Sequence, residues 1–104
     1  MTRGRGYTSG KPFVKEGKEP AFVGRWTLVA EWCLQNSKGA RSFRLIRDTK
    51  DPVHFVSFGE WDDLEWLTLA RANREFLLRF RRCQDLCDRF EGSDYVVALA
   101  LPEA

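Results

Sequence analysis

The chain has 104 residues, is 43% hydrophobic and 13% aromatic with four Trp and eight Phe, and carries a formal net charge of +2. That length makes one domain and not two, and a chain this size buries roughly 65% of its unfolded surface, so the aromatic load exceeds what one small core can hide. The mild charge gives no ground for nucleic-acid binding. No stretch is apolar enough to cross a membrane or to act as a secretory leader. Three cysteines make no disulfide framework, and a reducing, cytoplasmic setting is expected.

Residues 1–6, with Arg3 and Arg5 among glycines, read as a flexible arm, and residues 7–104 as a single domain. A first strand is expected within Tyr7–Lys15. Glu16-Gly17-Lys18-Glu19-Pro20 is a turn that places Pro20 in the first turn of a helix, where its missing N–H costs nothing. Phe22, Trp26, Val29, Ala30 and Cys33 then recur at helical spacing to about Gln35. Asn36-Ser37-Lys38-Gly39 stops that helix, with Gly39 suited to a left-handed cap.

A second strand follows over Ala40–Asp48, with Phe43 and Leu45 on one face and Ser42, Arg44 and Ile46 on the other. Asp48–Pro52 turns the chain into a third strand, Val53–Trp61. There Phe55, Ser57, Gly59 and Trp61 alternate against His54, Val56, Phe58 and Glu60. Asp62 with Glu65 reads as a capping box for a short helix, and Asn73 as the cap of a longer one. The longer helix has a stripe of Phe76, Phe80, Cys83 and Cys87, with Gly92 as its stop. Tyr95–Leu101, apolar on both sides, is expected as the last strand, and such a strand is normally covered on both faces. The order β-α-β-β-α-β predicts a ferredoxin-like α+β fold, a four-stranded antiparallel sheet with helices on one face. A second copy of the same sheet is expected to cover the other face, giving a homodimer.

The hairpin FRLIRDTKDPVHFVSFGEW, the helix DDLEWLTLARANREFLLRF and the opening FVKEGKEPAFVGRW together resemble the antibiotic biosynthesis monooxygenase family, over about residues 7–101. The resemblance implies a dimeric α/β barrel in which two ferredoxin-like subunits pack sheet against sheet. It also implies either a small oxygenase that oxidises aromatic phenols with dioxygen and no cofactor, or a non-catalytic small-ligand-binding dimer of the same fold. The haem-degrading branch of that family uses an Asn in the first strand, a Trp in the short helix and an axial His. Here the first strand holds no Asn, and the other two positions fall at Ala70 and near Phe80, which speaks against haem.

Candidate chemistry rests on few residues. His54, the one histidine, is expected either as a proton acceptor or relay or as a partly solvated strand-end residue. Arg44 either stabilises an anionic oxygen or pairs with a carboxylate across the dimer. Trp66, Phe58 and Phe80 are expected to line a site for a hydrophobic or aromatic small molecule, while Trp61 is expected in the core. Cys83 and Cys87 share a helix face with Phe76 and Phe80 and read as buried thiols, not metal ligands. An RNA-recognition module shares the topology, and Phe55-Val56-Ser57-Phe58 matches the end of its sheet motif. The preceding Asp51-Pro52-Val53-His54 breaks that motif, so nucleic acid is not expected.

Overall fold

The computed structural model describes residues 5–102. The elements are β1 (Gly6–Val14), α1 (Glu19–Asn36), β2 (Ala40–Arg47), β3 (Phe55–Trp61), α2 (Leu64–Arg71), α3 (Arg74–Gln84) and β4 (Cys87–Val96). The strands form one antiparallel sheet in the order β2-β3-β1-β4. This is the ferredoxin-like arrangement, with α1, α2 and α3 on one face.

Local chemistry sets the boundaries. Gly17 adopts φ 85°, and Lys18 N–H donates to Lys15 O at 2.9 Å, closing the turn that starts α1. A side chain at Gly17 would be strained in that left-handed conformation. Asp63, not Asp62, caps α2, its Oδ1 accepting from Glu65 N–H at 2.9 Å. Asp62 is instead held by Arg41 at 2.6 Å. Asn73 caps α3 as expected, its Oδ1 accepting from Glu75 N–H and Phe76 N–H.

Three expectations are corrected. Gly39 does not adopt a left-handed conformation; it is buried, and a Cβ there would overlap the indole of Trp66. Glycine is required for that close approach and not for a cap. The helical stripe does not reach Cys87, because α3 ends at Gln84 and Cys87 opens β4. The last strand is Cys87–Val96, not Tyr95–Leu101, and Gly92 lies inside it. Its full-length pairing with β1 decides the matter, running from Gly6↔Val96 to Val14↔Cys87. β4 is an edge strand whose outer residues include Arg89 and Glu91, so its alternation is too polar to announce a strand. The apolar run beyond it leaves the sheet, with Leu99 and Leu101 exposed. Of the expected arm, residues 1–4 lie outside the described residues. Gly6 already belongs to β1, and Arg5 O accepts from Val97 N–H at 3.2 Å.

Between sheet and helices lies a core that includes Val14, Phe22, Val29, Cys33, Phe55, Trp61, Leu67, Phe76 and Cys83. The α1 stripe packs inward as its spacing predicts, with Trp26 half-buried. The other sheet face has no helix over it. Ile46 and Tyr95 are exposed there, and Phe13, Val56 and Phe58 are half-buried. Replacing Gly39 with Ala should destabilise the fold by about 1–3 kcal/mol through overpacking against Trp66. Chemical denaturation would measure this, and an unchanged midpoint would show that the indole can move aside.

Candidate functional site

A cavity of about 380 Å³ opens between the helix side of the sheet and the helices, within the range of small-molecule sites. Its floor is made of small residues. Thr8 pairs with Gly59, and Gly10 pairs with both Ser57 and Gly92. All five line the cavity. Because side chains alternate along strands, these positions share one sheet face, and their small size leaves a flat space beneath the helices. A Cβ at Gly92 would meet nothing closer than 3.5 Å, whereas one at Gly10 would come within 2.9 Å of the Phe90 ring.

Aromatic rings form the walls and are locked against one another. Phe43 meets Trp61 edge-on at 5.8 Å and Trp26 edge-on at 6.2 Å. Phe80 stacks on Phe76 at 5.8 Å and meets Phe90 edge-on at 5.2 Å. Val29, Ala30 and Cys33 of α1 and Leu67 of α2 complete the apolar lining. Burial pushes the Cys33 thiol up to about 12, so it is a neutral wall group and not a nucleophile.

Polar groups are few. Ser57 Oγ accepts from Gly10 N–H at 3.0 Å, which leaves its hydroxyl proton free to donate. Trp61 is 1% exposed, and its Nε1–H is buried with no partner among the described residues. A buried donor left unpaired costs about 1–3 kcal/mol. Arg71, at the end of α2, is the one charged lining residue among those described. It grips Asp94 of β4 through two bonds of 2.7 and 2.8 Å, and Thr8 Oγ1 donates to the same carboxylate at 3.2 Å. Among the described residues, the lining contains no carboxylate and no imidazole.

Among the residues expected from sequence, Phe80 lies in this cavity. Trp66 does not; it is half-buried against the core and packs over Gly39. Arg44, His54 and Phe58 project from the opposite sheet face, so the structure does not bring them to Phe80. His54 stacks on Phe13 at 4.5 Å, and its Nδ1 lies 3.3 Å from Asp48 Oδ2. The Asp48 carboxyl is held below its ordinary range, chiefly by the Lys50 N–H and then by His54. Arg44 is exposed and donates to the Phe43 carbonyl at 3.0 Å. Their strand parity already separated them from Phe43 and Trp61. The donors that sequence reasoning missed are Ser57, Trp61 and Arg71. Two small residues between Phe55 and Trp61 on one strand face were the available signal, since small side chains there leave a void.

An α+β sandwich with an apolar cavity between its sheet and its helices defines the class of protein. The profile of the antibiotic biosynthesis monooxygenase family matches residues 11–86, and the chain belongs to that family. No curated protein sequence matches it. Among solved structures, SnoaB, a cofactor-independent oxygenase from Streptomyces nogalater, superposes in a mutant form with a TM-score of 0.88 at 19% identity, covering 96% of this chain and 99% of its own. A conserved protein from Methanosarcina mazei gives 0.81 at 19%, with coverage of 91% and 94%. One from Shewanella oneidensis gives 0.76 at 15%, with coverage of 89% and 90%. At these identities the likeness is one of fold.

The Asp94 carboxyl is held below the ordinary carboxylate range, first by its hydrogen bond from Arg71 and then by the charge of that guanidinium, against some desolvation. A depressed folded value means that the pair's contribution is fully present above about pH 4, where the unfolded carboxyl is ionised, and is lost as pH falls through the folded value. Acid titration of thermal stability should therefore show a smaller loss below about pH 4 in Asp94→Asn than in the parent. Identical acid profiles would show that the pair contributes nothing to folding.

Proposed function

We propose that the protein is a cofactor-independent monooxygenase that oxidises an aromatic, phenolic small molecule with dioxygen in this cavity. The observation that carries the proposal is a flat, aromatic-walled slot whose lining includes two residues with an uncommitted donor, Ser57 and Trp61. Such donors in a dry site stabilise a developing oxyanion, the enolate or phenolate that reacts with oxygen. An anthrone-type substrate would lose a proton from its ring CH2 and hold the resulting enolate oxygen against these donors. One electron passes to O2, and the two radicals combine. The resulting peroxide takes up a proton and loses water, leaving a carbonyl. The balance is CH2 + O2 → C=O + H2O. With no base in the lining, the proton leaves to solvent, and the substrate itself must be acidic.

The chemistry is thereby assigned to Trp61 and Ser57, with Phe80 as a wall, in place of His54 and Arg44. A homodimer formed through the helix-free sheet faces belongs to the same proposal. His54, Arg44 and Phe58 would then lie in that contact. Light scattering should give a mass near twice 12.1 kDa, and a monomer at micromolar concentration would remove the sheet-to-sheet dimer.

Oxygen uptake with a panel of anthrone-like phenols tests the activity. Turnover above the buffer rate is expected. Trp61→Phe, which keeps an aromatic ring at that position and removes the donor, should lower kcat by about tenfold or more. Gly92→Leu should block the slot and abolish turnover while the melting temperature stays within a few degrees. Ligand binding without any oxygen uptake would favour the non-catalytic binding protein of the same fold. Neither binding nor uptake would remove both.

A further inference from the structure

Arg71 stands apart from the remainder of the cavity. Every other lining side chain is neutral, yet a guanidinium sits at the slot's edge, where α2 ends beside the edge strand β4. Its fork is already in the posture that binds a carboxylate side-on, with Asp94 as the occupant at 2.7 and 2.8 Å. Two of its five N–H donors are spent there, and a third reaches Thr8 Oγ1 only at 3.5 Å. The pair is open to exchange, because its side chains are 47% and 36% exposed and solvent reaches both. A carboxylate tethered to a ring inside the slot would meet the same fork with less competing water.

We infer that Arg71 makes the slot selective for aromatic molecules carrying a carboxylate, which displaces Asp94 from the guanidinium while the rings lie over the glycine floor. Arg71 is thus a specificity-determining residue, Asp94 its internal competitor and Thr8 the polar group beside both. The inference rests on the proposed reading of the slot as a site for oxygen-bearing aromatics. It adds a charge requirement at the end marked by Thr8 and Arg71.

The test uses the full-length protein and the fluorescence of its tryptophans, two of which, Trp26 and Trp61, line the slot. The probes are anthraquinone-2-carboxylate and its methyl ester, which share a ring system and differ in charge. The parent protein should bind the carboxylate about tenfold more tightly than the ester. Arg71→Met should erase that preference and leave the ester's affinity unchanged. Asp94→Asn should move the other way, tightening the carboxylate about threefold or more by removing the competitor. Opposite signs for the two partners distinguish this role from a structural latch, whose loss would alter both variants alike and affect both probes. Equal affinity for acid and ester in the parent, or parallel changes in the two variants, would overturn the inference while leaving the slot as a binding site. Failure of both probes to quench would overturn the inference and the slot together.

Discussion

The structure depends on the burial of one indole. Trp61 ends β3 with Gly6 opposite it on β1 and Ala40 opposite it on β2, so small residues on both flanks let the large ring sink beneath the helices. Phe43 braces it edge-on, and the next residue, Asp62, donates its N–H to Gly39 O at 2.8 Å. Fully burying such a ring contributes several kcal/mol, more than the about 1–3 kcal/mol lost by leaving its N–H unpaired. Packing therefore wins, and the unpaired donor persists. The fold's main anchor thus lines the cavity and carries an unsatisfied buried donor.

The sheet explains why space remains beside that anchor. Where cross-strand neighbours would ordinarily be branched or aromatic, positions 10, 57, 59 and 92 carry Gly, Ser, Gly and Gly. Removing side chains from a strand weakens it. The ring contacts of Phe76, Phe80 and Phe90 span the gap from above and recover part of the loss. The cavity is thus a consequence of composition along the strand faces, kept open by rings that brace one another and have no room to collapse inward.

Much of this was legible in the sequence. Period-3.6 spacing located α1 and its buried stripe, and period-2 spacing sorted β3 into its two faces. The Asn73 cap was visible as a residue type in position. What failed did so for physical reasons. β4 is an edge strand with Arg89, Glu91 and Ser93 along one side, so pairing with β1 and not hydrophobicity makes it a strand. The apolar run after it, which looked like a core strand, has no partner in the sheet. Gly39 answers to a ring arriving from 27 residues downstream, which no local pattern can announce. His54 and Arg44 were weighed by residue type, and strand parity puts them on the face opposite the cavity. A free indole N–H is a property of packing and is invisible in a one-letter code.

Both edges of the sheet are charged. Arg41, Arg44 and Arg47 recur along β2, and Arg89 and Glu91 mark β4, whose pairing with β1 is interrupted by a register shift between Phe13 and Val14. Unpaired strand edges are templates on which further strands can add, and charged side chains and irregular pairing blunt them. On the helix-free face, Arg44, Arg89 and Glu91 stand among the apolar side chains. Growth by edge addition into fibrils is therefore discouraged, and the sheet is held to its four strands.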